Sequence, residues 1–170
     1  MLIRYRIVAA AALALAACGA AQAQVTVTYV KPDQFSDVPY GVRERETVMK
    51  ELTAHFNELG KQLPAGQTLK VEVLDVDLAG WVYPRRWGPD SIRVLRGGAD
   101  WPHMHLHFTL EENGKVVRSG DSQLANMNYQ MRMNRYASDD PLRYEKQMMD
   151  DWFKQEFGPG NKAGQGSAPG

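Results

Sequence analysis

Three of the four histidines, His103, His105 and His107, occupy alternate positions in one short stretch, WPHMHLHF from Trp101 to Phe108. Imidazole nitrogen is a common zinc ligand, and a catalytic zinc takes three protein ligands and leaves one position for water. Alternation with Met104, Leu106 and Phe108 predicts a strand, on which side chains two apart share a face. At ~3.3 Å per residue, neighbouring imidazoles are ~6.6 Å apart at the backbone and can converge on one ion. The outer pair is ~13 Å apart and cannot. At most two of the three therefore belong to one mononuclear site, and a third ligand must come from another strand.

The Asn113-Gly114 dipeptide identifies that strand. Asn-Gly between two alternating runs is a strong hairpin signal, because both turn residues must reach positive φ. In an unbroken register, His107 falls opposite Gly120 and His105 opposite Ser122, and Arg118 joins the histidine face. That register also places Ser119, Asp121 and Gln123 on the apolar side, where an unpaired carboxylate is costly. A one-residue bulge at Ser119-Gly120 would turn Asp121 to the histidines, and glycine often marks such a kink. The resulting candidate is a zinc site of His105, His107 and Asp121, with an open position for water and so for metal-dependent hydrolysis. The alternative needs no metal: Met104, Leu106 and Phe108 account for the alternation as core, and the imidazoles line a wet or partner-facing strand surface.

A second candidate surface is GWVYPRRWGP, read as a long loop from Gly80 to Pro89. Trp81, Tyr83, Arg85, Arg86 and Trp87 are of the types enriched where proteins grip partners. The competing reading has the rings pinning that loop to the sheet. Asp75 and Asp77 share a strand face and are read as solvated carboxylates, and His55 as a boundary residue on a helix flank. Asn126 to Tyr129 reads as turn residues, and the adjacent Asp150 and Asp151 point in different directions on a helix. There is no G-x-S-x-G, no phosphate-binding glycine loop and no H-E-x-x-H.

The positioning elements follow from hydrophobic period. Val25 to Val30 alternates as a half-buried strand; Val48, Leu52, Phe56, Leu59 and Leu63 recur at helical steps from Arg43 until Pro64 and Gly66. Leu69 to Leu78 and Ser91 to Leu95 read as strands, and Met104 to Leu110 with Lys115 to Leu124 as the hairpin. Asp140 as N-cap and Pro141 at the first position open a last helix, with Leu142, Met148, Met149, Trp152 and Phe153 facing the core. Two amphipathic helices can cover one face of one modest sheet. The expected fold is α+β and two-layer: a mainly antiparallel sheet of four to five strands packed by two helices, in the order strand, helix, strands, helix.

Residues 1–23 have the form of an export signal, with Arg4 and Arg6 ahead of an apolar run from Ile7 to Ala17. That run has eleven residues, against the ~20 that cross a bilayer, and no later segment comes close. Leu15-Ala16-Ala17-Cys18 resembles a lipobox that would end the signal at residue 17 and lipidate Cys18; Ala21-Gln22-Ala23 is an equally good site for ordinary signal peptidase. Cys18 is the only cysteine, so the single domain expected over 24–157 stands without a disulfide. Residues 158–170 hold five glycines and no large apolar side chain, the composition of a disordered tail. Removing Arg4 and Arg6 from the 20 Lys and Arg leaves 18 against 20 Asp and Glu, which gives no electrostatic case for nucleic acid.

Five segments in order, VTVTYVKPDQFSDV, LPAGQTLKVEVLDVDLAG, the WP that opens the hairpin, RSGDSQLANMNY and DDPLRYEKQMMDDWF, resemble the exported bacterial proteins of domain-of-unknown-function family 3016. The resemblance covers nearly all of Val25 to Phe157. It implies a secreted or periplasmic protein with one such domain and no assigned activity. It also implies that histidine is not fixed at 103, 105 and 107, which argues against a metal role common to the family. In architecture alone, the element order is similar to small envelope accessory lipoproteins. The sequence thus points to a non-catalytic periplasmic or envelope module, with or without a lipid anchor, that binds a partner protein or small ligand; the other reading is the zinc protein or hydrolase of His105, His107 and Asp121.

Overall fold

The computed structural model describes residues 23–83 and 92–159. Strand β1 (Gln24–Tyr29) leads through a short 3-10 turn into helix α1 (Val42–Gly60) and then into β2 (Gln67–Asp77). Two short strands, β3 (Trp81–Tyr83) and β4 (Ile92–Val94), precede the hairpin of β5 (His103–Glu112) and β6 (Lys115–Ala125), and helix α2 (Arg143–Phe157) closes the fold. The main sheet has the order β1-β2-β5-β6. β1 and β2 are parallel, and α1 supplies the crossover that a parallel pair requires. The other pairings are antiparallel.

Both helices pack on one side of this sheet. Leu52, Phe56 and Leu59 of α1 and Met148, Met149, Trp152 and Phe153 of α2 meet Leu69, Val71 and Val73 of β2 and Met104, Leu106, Phe108 and Leu110 of β5. Burying each such side chain fully is worth ~1.5–3 kcal/mol. Trp152 is the hub of the aromatic packing, edge-on to Phe56, Phe108 and Phe157 at centroid distances of 6.0, 5.9 and 5.6 Å.

Two one-residue bulges decide which side chains face the helices. In β2 the register slips between Val73 and Asp75, making Leu74 the extra residue. Without that slip, Asp75 and Asp77 would continue the alternation of Leu69, Val71 and Val73 into the core. With it, Val76 and Leu78 are buried and both aspartates turn to the bare face. In β6 the slip sits at Val117, between the Leu110 and Glu111 pairings, and not at Ser119-Gly120 as expected. Gly120 serves another purpose: a Cβ there would come within 3.3 Å of the Phe108 ring, so glycine makes room for that ring. The consequence for Asp121 is the expected one, since it now pairs with His107. Arg118 leaves the histidine face for the helix side, where it bonds the Glu156 carboxylate and carbonyl and lies over the Phe108 and Phe157 rings.

Other expectations change at element ends. Trp81–Tyr83 is a strand paired with β4 as a separate two-stranded sheet, not part of a loop. Helix α2 starts at Arg143, later than Pro141. Asp140 accepts instead from the Leu142 amide at 2.9 Å and from Lys146 Nζ at 2.7 Å, holding the turn that precedes the helix. The Asn113-Gly114 turn is as expected, with φ of 51° and 77°.

Candidate functional site

The side of the main sheet away from the helices carries the three histidines between the carboxylates of β2 and Asp121 of β6. On β2, Asp77 lies opposite His103, Asp75 opposite His105 and Glu72 opposite His107. On β6, Asp121 lies opposite His107 and Gln123 opposite His105. The Asn126 amide bonds the Pro102 carbonyl, so pairings along the hairpin alternate from there, and 105/123 and 107/121 are non-hydrogen-bonded pairs. Such pairs bring their Cα atoms closest, and His107 Nδ1 stands 3.1 Å from Asp121 Oδ1.

At the other end of the row, His103 Nε2 is 3.3 Å from Asp77 Oδ2. Burial pushes the Asp77 carboxyl above its ordinary value; His103 and Arg93 work against this, while Asp37 and Asp75 add to it. Asp75 is already committed, accepting from the Ser36 amide at 2.7 Å and the Ser36 hydroxyl at 2.6 Å. It is thus a tie to the loop after β1 and not simply a solvated carboxylate.

Of the zinc triad read from sequence, His107 and Asp121 are in contact, and His105 sits beside them opposite Asp75 and Gln123. Among the described residues, no group of three His, Cys, Asp or Glu side chains gathers in an arrangement that could hold a metal ion. Of the aromatic candidates, Trp81 and Tyr83 are on β3 and point the same way, with exposures of 58% and 42%. The Arg96 guanidinium lies 5.1 Å from the Tyr83 ring centroid. Arg85, Arg86, Trp87 and Cys18 lie outside the described residues.

Sequence reasoning missed two buried polar clusters. Asp150, on α2, faces His55 Nε2 at 2.9 Å, the Tyr136 hydroxyl at 2.7 Å and Arg135 at 3.2 Å. Burial opposes the charge on Asp150, but the hydrogen bonds from His55 and Tyr136 and the nearby cations hold its carboxyl below the ordinary range. The cluster ties the irregular segment before α2 onto both helices. In the second, Glu145 accepts from the Ala79 amide at 2.8 Å while its other oxygen has no partner among the described residues. Burial drives its carboxyl upward. The readable signal for Glu145 was its place four residues before Met149, inside the apolar stripe of the helix.

These features define a small two-layer α+β domain with one sheet face packed by helices and the other left bare by the described residues. The chain belongs to the family described as "Protein of unknown function (DUF3016)", whose sequence model matches residues 23–155. No curated protein matches it. Among solved structures, a Xanthomonas campestris protein of the DUF330 family aligns at 13% identity over 78% of each chain, with a TM-score of 0.36. A minor lipoprotein from Acinetobacter baumannii aligns at 9% identity over 79% of this chain and 88% of its own, with a TM-score of 0.22. Likenesses this loose say nothing about what this chain does. Among the described residues, no helix is long and apolar enough to cross a membrane.

Proposed function

We propose that the protein is a non-catalytic binding module of the bacterial cell envelope that grips a partner protein through the β3–β4 ribbon. The observation that carries this is the exposure of Trp81 and Tyr83, at 58% and 42%, on one side of a three-residue strand. A tryptophan left this open forgoes much of the burial that normally holds an aromatic ring in place, and Trp, Tyr and Arg dominate binding hot spots. The export-type N-terminus supports the envelope setting. A photo-crosslinker installed at Tyr83 in cells of the native host should trap one discrete partner. Trp81→Ala should abolish that adduct and leave the melting temperature unchanged. An adduct pattern that survives Trp81→Ala, or no discrete adduct, rejects the reading.

The His107–Asp121 contact favours a second reading, in which the His105 side chain, beside that pair but not gathered with it, swings in to hold zinc with His107 and Asp121, with hydrolysis as its extension. Binding to the folded state alone would stabilise it by ~2.7 kcal/mol at a zinc concentration 100 times Kd. A zinc-dependent rise in melting temperature, lost in His105→Ala and in His107→Ala, is the expected sign. Metal at well below one equivalent in the untagged protein, or metal retained by both variants, removes it.

A further inference from the structure

The sheet has an edge that nothing in the described structure covers. β6 is the last strand in the order β1-β2-β5-β6 and is eleven residues long. The same alternation that makes 105/123 and 107/121 non-hydrogen-bonded pairs turns the amide and carbonyl of Ser119, Asp121, Gln123 and Ala125 away from β5. Natural edges are usually blunted by proline, by bulges or by inward-pointing charge. Here the bulge lies at the hairpin end, at Val117, and Arg118 is the inward-pointing charge; the strand beyond Arg118 has neither a bulge nor a proline.

Beside this edge a cleft of about 320 Å³ runs between β6 and α2. Leu124, Ala125, Met148 and Trp152 are the apolar part of its lining. Asp121, Asp151 and Glu156 line it too; Asp151 is paired with Arg132 and Glu156 with Arg118, so Asp121, beside His107 and with a side chain 68% exposed, is the carboxylate the edge presents. Trp152 is 6% exposed, and its indole Nε1 is buried with no hydrogen-bond partner among the described residues.

We infer that β6 and the α2 cleft form a strand-addition site for an extended peptide segment of a partner, one that alternates basic and aliphatic side chains. The peptide backbone continues the ladder on the outward groups of Ser119, Asp121, Gln123 and Ala125. Its aliphatic side chains turn toward Leu124, Met148 and Trp152, and its basic ones lie beside Asp121 on the histidine side. Strand addition of this kind takes its affinity from main-chain bonds and its specificity from alternate side-chain contacts. This surface is distinct from the Trp81–Tyr83 ribbon and stands without it.

The test uses the full mature chain and a fluorescent peptide of ~7 residues alternating Lys and Val, long enough at ~3.4 Å per residue to span the four outward positions. Three comparison peptides replace Lys by Glu, interrupt the strand with Pro, or carry N-methyl groups on the edge that would face β6. The Lys-Val peptide should bind with Kd below about 100 µM, slow amide exchange at Ser119, Asp121, Gln123 and Ala125, and shift the Trp152 indole signal; the other three should bind at least about ten-fold more weakly. Gln123→Pro removes one outward amide without breaking a bond to β5, and should lower affinity about ten-fold at unchanged melting temperature. If that variant is destabilised, the N-methyl peptide decides in its place. Equal binding of the N-methyl or Pro-interrupted peptide, no binding of the Lys-Val peptide, or a β6-to-β6 dimer that excludes it overturns the proposal. Trp81→Ala should leave peptide binding intact, so failure here and failure of the ribbon reading are separate results.

Discussion

The two faces of the main sheet are built by the same alternation and do opposite work. Toward the helices, β2 and β5 present Leu69, Val71, Val73, Met104, Leu106 and Phe108, all 3% exposed or less. On the other side the same strands present Glu72, Asp75, Asp77 and the three histidines, half-buried or exposed. The bulges at Leu74 and Val117 keep the carboxylates of β2 and β6 off the packed side. Asp150 and Arg118, enclosed on that side, are tied to their neighbours, whereas one Glu145 oxygen and the Trp152 indole nitrogen have no partner among the described residues. Stability is therefore concentrated on the helix side, and the histidine side is left free to vary with function.

The largest expected effect tests where stability resides. Phe56 is fully buried and meets Trp152 edge-on. Phe56→Ala should cost ~3–5 kcal/mol, a large share of the ~5–15 kcal/mol that holds a typical domain. Urea denaturation measures it. A loss under about 1 kcal/mol would mean the helix layer is not where the fold is held.

A smaller effect should come from the polar cluster at the helix side. Asp150 has a side chain only 7% exposed, and its removal strands His55 and Tyr136, so Asp150→Ala should cost ~3 kcal/mol. The pH dependence has a definite sign. A carboxyl depressed in the folded state stabilises above its unfolded pKa of ~3.9, and that stability is lost as pH falls through the lower folded value. The gap between wild type and Asp150→Asn should accordingly be full at neutral pH and shrink below about pH 4. A gap that widened on acidification would contradict the assignment.

How much of this was legible depends on how locally each feature is encoded. The hairpin, the histidine strand and both helices follow from period alone, and their core residues are where the apolar repeats put them. The bulges were also written in the chain, at apolar doublets: Val73-Leu74 and Val116-Val117 each break an alternating run at the slip. Gly120 misdirected the placement because glycine serves close approach as well as kinks, and only the Phe108 ring shows which use applies. The β3–β4 pair is too short to display a period. The His55–Asp150 contact joins residues 95 apart, and periodicity within one element carries no information about it. Of the candidate sites, the His107–Asp121 contact was legible through the cost of a carboxylate on the apolar side, whereas the bare edge of β6 needed the strand order.

The smallest effect is the sharpest test of the comparison. His105 is half-buried at the centre of the bare face and has Gln123 and the already-bonded Asp75 as its cross-strand neighbours. If that face contributes little to folding, His105→Ala should change stability by no more than ~0.5 kcal/mol in the absence of metal. Urea titration of the metal-free variant beside wild type measures this directly. A loss above about 2 kcal/mol would place His105 in a network that supports the fold, and the division of labour between the two faces would fail at its centre. A near-zero loss alongside a lost zinc response would separate binding from folding at a single residue.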